Sequence, residues 1–230
     1  MGLDPFEVAL NVIAFLVAIT VHEASHALSA TLLGDPTPRA AGRLSLNPIR
    51  HLDPLGTFLL IFARFGWGKP VMVNPANFKV SWRTGMAITG FAGPLSNIVT
   101  ATVVGLFLRF VAVPEVVPRL IGGAVVPTSY LSYVMVLLAV IVYINVMLAI
   151  FNLIPLPPLD GFSVLMGVLP SPLASMIAPI ARYGPGILML LFLLPLALHV
   201  NVIGNIIGPP ITGVTRLIMG QSLSRFLLGL

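Results

Sequence analysis

Three long apolar segments constrain this chain more than any other feature. They cover about Phe6–Leu33, Thr84–Val113 and Tyr130–Phe151. A helix rises about 1.5 Å per residue, so each segment is long enough to cross a hydrocarbon core about 30 Å thick. Charged residues make up only 8% of the chain, against about 25% in soluble globular proteins. So few charges cannot cover a water-soluble fold, and we expect an all-α polytopic membrane protein.

Shorter segments add detail to this expectation. Leu55–Phe65 is apolar but too short for a simple span, and Lys69–Pro75 shows a short β-like alternation. Irregular backbone at membrane depth must be buried in protein or line a wet cavity. Ile187–Val200 is a further candidate span. We therefore predict four to six transmembrane helices with a short re-entrant or β-like membrane-embedded segment.

The basic residues predict the orientation of the chain. Seven of the twelve Lys and Arg residues lie between the first and second long segments. Such an excess marks a cytoplasmic loop, so the N-terminus is expected outside and the third segment is expected to end at the cytoplasmic side. A net charge of +5 on so apolar a chain fits loops that face anionic lipids rather than nucleic-acid binding.

One short motif carries the polar residues of the first apolar segment: His22-Glu23-Ala24-Ser25-His26. Residues four apart share a helix face, so both imidazoles can reach one zinc ion. Glu23 lies on the adjacent flank, where a carboxylate can take a proton from an attacking water molecule. An ionised side chain at the centre of a transmembrane helix costs about 2.5–3.5 kcal/mol, so this cluster predicts a bound cation.

A catalytic zinc site needs a third protein ligand. The candidates are Asp4, Asp35, Asp53, Glu115, Asp160, His51 and His199. The predicted topology places Asp4 and Glu115 outside, away from the histidines. Asp160 follows the third segment at the cytoplasmic side, after prolines that open the backbone. The alternative for Asp160 is that it caps the short helix that follows Gly161.

Two more motifs follow the histidine motif in order. They are Gly90–Asn97, with the sequence GFAGPLSN, and Asn152–Gly161, with the sequence NLIPLPPLDG. Together with the histidine motif they resemble the site-2 protease family of intramembrane zinc metalloproteases, and Asn47–Thr57 resembles a loop of its short bacterial members. The resemblance extends to about residue 165. The chain carries neither the PDZ-like insertion nor the CBS pair of longer relatives, which implies a short, membrane-only member.

The resemblance also implies roles for individual residues. His22, His26 and Asp160 would bind one Zn²⁺ per chain, and Glu23 would be the catalytic base. Asn97 would contact the substrate or its oxyanion, because an amide N–H can stabilise a developing negative charge. The alternative for Asn97 is a hydrogen bond between helices.

Two further residues are candidates with alternatives. Asn152 would make the same oxyanion contact or orient Asp160; otherwise it caps the end of its helix. His51, together with Asp53, either lines or gates the entrance for water, or is a loop histidine with satisfied hydrogen bonds.

These observations predict an intramembrane zinc endopeptidase that cleaves transmembrane segments of other proteins. Residues 1–230 would form one domain, with a catalytic core at about 6–165 and C-terminal helices at 166–230. Its partners would be a single-pass membrane-protein substrate and the lipid bilayer, with no nucleic acid, and its active site would face the cytoplasmic side of the cell membrane. The alternative function is a divalent-metal or proton transporter with His, Glu and Asp as a relay, although the chain shows no internal repeat typical of transporters.

Overall fold

The computed structural model describes residues 5–63, 66–111, 119–121, 124–126, 130–198 and 202–228. These residues are mostly helical. The helices are α1 (Pro5–Leu32), α2 (Thr37–Ala40), α3 (Pro54–Ala63), α4 (Trp82–Val111), α5 (Tyr130–Asn152), α6 (Asp160–Val168), α7 (Ser171–Ile177), α8 (Gly184–Leu198), α9 (Val202–Met219) and α10 (Gln221–Leu228). Short 3₁₀ turns cover Pro48–Arg50, Pro75–Asn77 and Ala178–Arg182. Strands β1 (Arg119–Ile121) and β2 (Ala124–Val126) form an antiparallel pair.

Within the described residues, three helices are long and apolar enough to cross a membrane: α1, α4 and α5. They match the three long apolar segments of the sequence. A bent pair, Ser171–Arg182 and Gly184–Leu191 with 63° between its halves, gives a fourth if it is counted as one span. The predicted all-α polytopic membrane protein is confirmed.

Helix α4 packs closely against α6 because both helices carry small residues where they meet. A Cβ atom on Gly90 would lie 3.1 Å from the Cβ of Ser163 and 3.2 Å from the carbonyl oxygen of Asp160. Because these residues are small, α6, whose first residue is Asp160, lies directly against α4. Pro94 lies inside α4 and has no N–H group, so the helix loses one backbone hydrogen bond there.

Arg83 at the start of α4 fastens the other end of α6. Its guanidinium donates to the carbonyl oxygens of Met166 and Leu169 and to the hydroxyl of Ser171. The last carbonyl groups of a helix have no partner within the helix and favour a positive charge nearby. Arg83 therefore holds α6 in place relative to α4.

Helix α9 belongs to the same hydrophobic core as the membrane-spanning helices. Ile211 and Met219 of α9 are buried in one cluster with Leu108 of α4 and Met135 and Val142 of α5. The cluster also includes Leu10 of α1 and Ile218 of α9. Helices α1, α4 and α5 are therefore supported from the side by α9.

The segment Lys69–Pro75, whose sequence shows a short β-like alternation, forms no regular strand in the structure. An isolated bridge joins Leu52 and Gly68 just before it. The backbone N–H of Val71 donates to the carboxylate of Glu23 at 3.0 Å rather than to a neighbouring strand. Side chains take the place of a strand partner here, and the backbone stays irregular.

A buried carboxylate fastens the end of α1 to the loops that follow. Asp35 is fully buried. It accepts hydrogen bonds from the backbone N–H and hydroxyl of Thr37, the backbone N–H of Asn74 and the side-chain amide of Asn77, at 2.6–3.1 Å. Burial raises the pKa of the Asp35 carboxyl, but the hydrogen bonds from Asn77, Thr37 and Asn74 outweigh burial and hold the pKa below its usual value of 3.8.

We expect Asp35→Asn to lower the thermal stability at neutral pH. An amide NH₂ group cannot accept the hydrogen bonds that the carboxylate accepts, and buried donors left unpaired cost about 1–3 kcal/mol. The folded-state pKa is below the unfolded one, so this stabilisation is present above the unfolded pKa and is lost as the pH falls through the folded pKa. The deficit of the variant should therefore shrink in acid.

Thermal unfolding in detergent at neutral and acid pH measures this deficit. Asn77→Ala removes one of the four hydrogen bonds and should have a smaller effect than Asp35→Asn. Equal melting temperatures of wild type and Asp35→Asn at neutral pH would contradict the stabilising role of this carboxylate.

Candidate metal centre

Three side chains bring one potential metal ligand each to a single point. The Nε2 atoms of His22 and His26 are 3.0 Å apart. The Oδ2 atom of Asp160 lies 3.1 Å from the Nε2 of His22 and 3.3 Å from that of His26. In the part of the chain that the structure describes, this is the group of His, Asp or Glu side chains with the spacing of a metal site.

Two different elements provide these ligands. His22 and His26 are about one helical turn apart on α1, so their side chains project from the same face of the helix. Asp160 begins α6, after a proline-rich turn ends α5. Both histidines are buried, and Asp160 is partly buried. The fold therefore brings together residues that are far apart in the sequence.

Hydrogen bonds on the far side of each ring define which nitrogen is free. The Nδ1–H of His26 donates to the carbonyl oxygen of Thr89 at 2.7 Å. The Nδ1–H of His22 donates to the Oδ1 of Asn97, also at 2.7 Å. The orientation of the Asn97 amide follows from its neighbours, because its Nδ2 donates at 2.9 Å to the carbonyl oxygen of Ala18 and to the Oδ1 of Asn145. In the neutral rings both Nε2 atoms therefore carry lone pairs.

The converging atoms fit a zinc ion. Two imidazole lone pairs face a carboxylate oxygen, and the buried Oδ2 of Asp160 has no hydrogen-bond partner among the described residues. Three electron-pair donors this close repel one another unless a cation lies between them. A tetrahedral zinc ion with bonds of about 2.0–2.1 Å separates its ligand atoms by about 3.3 Å, which is close to the observed separations.

Gly93 has no side chain, and this makes room for the rings of His22 and His26. A Cβ atom at this position would lie 2.5 Å from the Nε2 of His26 and 2.7 Å from the Cε1 of His22. Only glycine lets α4 approach α1 closely enough for its neighbours to hold the rings. The glycine-proline motif therefore contributes space to this site.

Glu23 lies beside this group and is not one of the three converging residues. Its Oε2 accepts the backbone N–H of Val71 at 3.0 Å and lies 3.6 Å from the Nη2 of Arg43. Burial lowers the pKa of the Arg43 guanidinium below its usual value, and the Glu23 carboxylate opposes that shift. The carboxylate is thus held by a loop cation and by one backbone donor.

The three potential ligands His22, His26 and Asp160 are called the metal group below. A cavity of about 1080 Å³ contains the metal group and Glu23. One wall runs along α1 from Glu7 to His26, and Pro70–Val73 form part of another. The remaining wall is largely apolar and includes Ile144, Met147, Phe151, Leu188 and Ile207. The potential metal ligands thus open into a space lined mostly by apolar side chains.

The structure places the other predicted site residues unequally. Asn152 lines the cavity, and its Nδ2 donates to the carbonyl oxygen of Leu148 at 3.0 Å. Asn97 is fully buried and donates both amide hydrogens to protein oxygens, so it has no N–H group left for an oxyanion. Its hydrogen bonds between helices match the alternative that the sequence left open.

His51 is also fully buried and is not among the residues that line the cavity. Its Nε2–H donates to the carbonyl oxygen of Ser45 at 2.7 Å. Its Nδ1 is buried and has no hydrogen-bond partner among the described residues, so only one ring nitrogen is satisfied. Asp53 accepts the backbone N–H of Gly56 at 2.9 Å at the start of α3. The candidates Asp4, Glu115 and His199 lie outside the described residues.

Sequence reasoning missed two residues at this site. Asn145 is a fully buried amide within α5, and it orients Asn97. A polar residue inside the most apolar segment was the signal that could have found it. Arg43 was counted only as one of seven loop cations, and no local pattern separates it from the others.

Comparisons with known proteins agree on one family. The sequence profile of Peptidase family M50 matches residues 10–193. YwhC of Bacillus subtilis (strain 168), named as a proposed zinc metalloprotease, is 35% identical over 189 residues, which are 82% of this chain and 82% of YwhC.

Two mycobacterial proteins named Rip2, also proposed zinc metalloproteases, are more distant. The one from Mycolicibacterium smegmatis is 28% identical over 81% of this chain and 67% of its own length. The one from Mycobacterium tuberculosis (strain H37Rv) is 27% identical over 79% of this chain and 65% of its own length. No solved structure matches the chain.

The matched region includes the potential metal ligands, Glu23, all of α4 and α5, and α1 from residue 10 onward. Zinc is the metal of this family, and the lone pairs of His22, His26 and Asp160 suit it. The chain is a multi-pass membrane metalloprotease, and it belongs to Peptidase family M50, the zinc metalloproteases of the site-2 protease type.

Proposed function

We propose that this protein is an intramembrane endopeptidase that cleaves transmembrane segments of single-pass membrane proteins, as in regulated intramembrane proteolysis. One observation carries the proposal: the metal group and Glu23 open into a largely apolar cavity whose wall is the membrane-spanning helix α1. His26 is six residues before the end of α1 at Leu32, about 9 Å along the helix. A segment in this cavity would therefore be cut inside the helix bundle.

His22, His26 and Asp160 would hold the zinc ion through two imidazole nitrogens and one carboxylate oxygen. Zinc, when bound, polarises a carbonyl group and makes water a stronger acid. Asn97 would keep the lone pair of His22 Nε2 directed at the metal, because its amide oxygen accepts the Nδ1–H. Asn145 would hold Asn97 in that orientation.

Glu23 would act as the general base and then as the general acid. Its carboxylate lies in the same cavity as the potential ligands and is not one of them. It would take the proton of the attacking water and deliver it to the leaving nitrogen. Asn152, which lines the cavity, remains the candidate donor to the developing oxyanion.

The substrate must unwind before it can be cut, because a helix keeps its amide groups in its own hydrogen bonds. Val71–Val73 is the candidate segment to hold the unwound substrate, because all three residues line the cavity. The substrate would pair with the backbone of this segment by strand addition. The transporter alternative loses support, because the family to which the chain belongs consists of proteases.

We further propose that the active site faces the cytoplasm. The six basic residues between α1 and α4, together with Arg83 in the first turn of α4, are the basis of this orientation. The end of α1, the beginning of α4 and the end of α5 would then all lie at the cytoplasmic side, with water reaching the site from there.

Our first prediction for this function concerns zinc content. His22→Ala and Asp160→Ala should lose stoichiometric zinc, because each leaves only two protein ligands. His51→Ala is the matched control, since it removes a buried histidine outside the cavity. Metal analysis of the purified variants measures the result. Full zinc retention in both ligand variants would reject the assignment.

A second prediction concerns the base. Glu23→Gln should lower the rate of cleavage about 10²–10⁴-fold, because general acid–base catalysis is lost. It should keep its zinc, because Glu23 is not a ligand, and its fold, because Gln and Glu have similar size and helix propensity. Single-turnover cleavage of a transmembrane substrate in liposomes, with zinc measured on the same samples, tests this. A zinc-loaded variant that cuts within a few-fold of wild type would show that Glu23 is not the base.

A third prediction concerns orientation. Reporter tags placed at residue 1 and in the 35–50 loop should report opposite sides of the membrane, with the loop in the cytoplasm. The physical reason is the positive charge of the loop between α1 and α4. A cytoplasmic tag at residue 1 would overturn the proposed orientation.

A further inference from the structure

We propose that Arg43 is a positioning residue that couples the substrate-facing segment Lys69–Val73 to the carboxylate of Glu23. The inference rests on the proposed function of Glu23 as the base. It goes beyond that function by naming the side chain that fixes the Glu23 carboxylate and the segment Lys69–Val73 relative to each other.

Arg43 is a buried cation in a loop. Only 5% of its surface is exposed. Its Nη1 donates to the carbonyl oxygen of Arg50, its Nη2 donates to the carbonyl oxygen of Lys69, and the same Nη2 lies 3.6 Å from the Oε2 of Glu23. A buried charge needs partners of this kind, because unpaired it loses its hydration without compensation. The guanidinium therefore has three partners on three different parts of the chain.

These contacts close a ring through the active site. Glu23 accepts the N–H of Val71 directly. It also meets Arg43, whose Nη2 holds the carbonyl oxygen of Lys69, two residues before Val71. The backbone N–H of Lys69 in turn donates to the carbonyl oxygen of His51 at 2.8 Å. The segment cannot move away from α1 without breaking contacts to both Glu23 and Arg43.

The shape of the side chain explains why an arginine performs this function. A guanidinium presents its donors in a planar fork, so it can bond two carbonyl oxygens and face a carboxylate at once. Lysine would supply the charge as a single point on a flexible stem. Arg50 lies in the same loop but is exposed, and its Nη1 donates to the carbonyl oxygen of Gly42 at 3.3 Å. Arg50 is therefore a matched control for loss of a loop charge.

The first test measures coupling between Arg43 and Glu23 by thermal unfolding of the full chain in detergent. Arg43→Gln, Glu23→Gln and the double variant form a cycle. Arg43→Gln leaves the Glu23 carboxylate buried without its cation, so the double variant should melt higher than the sum of the two single effects predicts, by at least about 2 °C. The Arg50→Gln cycle with Glu23→Gln should be additive. If the effects of Arg43→Gln and Glu23→Gln on the melting temperature are additive, the two side chains are not coupled, and Arg43 only stabilises its loop.

The second test measures catalysis. Arg43→Gln should lower kcat about 100-fold with zinc retained, because small displacements of a reacting group carry losses of this size. Arg43→Lys, which keeps the charge and loses the fork, should fall between wild type and Arg43→Gln. Arg50→Gln should stay within a few-fold of wild type. A wild-type kcat in Arg43→Lys would show that the planar guanidinium is not required. This result can be obtained even if Arg43→Gln fails to fold.

The two proposals fail in different ways. If Glu23→Gln remains active, Glu23 is not the base, whatever the thermal cycle shows. If Glu23→Gln is inactive while Arg43→Gln has the wild-type kcat and the cycle is additive, the base stands and the positioning role of Arg43 is rejected.

Discussion

Three electron-pair donors held 3.0–3.3 Å apart inside an apolar helix bundle are the constraint on which the rest of this structure depends. Neither imidazole nor carboxylate is stable at such a place without compensation, and a cation between them supplies it. The bundle must therefore direct both His22 and His26 and bring Asp160 to the same point. The buried hydrogen bonds of Thr89, Asn97 and Asn145 serve this arrangement.

Helix α4 provides most of that support without giving a ligand. It accepts the Nδ1–H of His26 on the carbonyl of Thr89 and that of His22 on Asn97. It leaves space for both rings at Gly93. Its first turn carries the arginine that caps α6, and α6 carries Asp160. Displacement of α4 would therefore disturb all three potential ligands together.

The loops on the proposed cytoplasmic side add a second layer of organisation. Asp35 joins the end of α1 to Asn74 and Asn77, and Arg43 joins Glu23 to Lys69. The short segment between these two anchor points lines the cavity and donates Val71 N–H to Glu23. These contacts fix the segment at both ends and attach it to Glu23. Under the proposed function, an unwound substrate would pair with this segment.

The sequence by itself determined what depends on local periodicity: the three long helices, and the common face of His22 and His26, because residues four apart align on any helix. Only the tertiary structure decided which atom faces which. It turned both amide hydrogens of Asn97 toward protein oxygens, where the sequence had left open either a substrate or oxyanion contact or a hydrogen bond between helices. It also made Asn145 the hydrogen-bond partner of Asn97, and it buried Arg43 beside Glu23. Contacts between residues distant in sequence follow from packing and not from any local pattern.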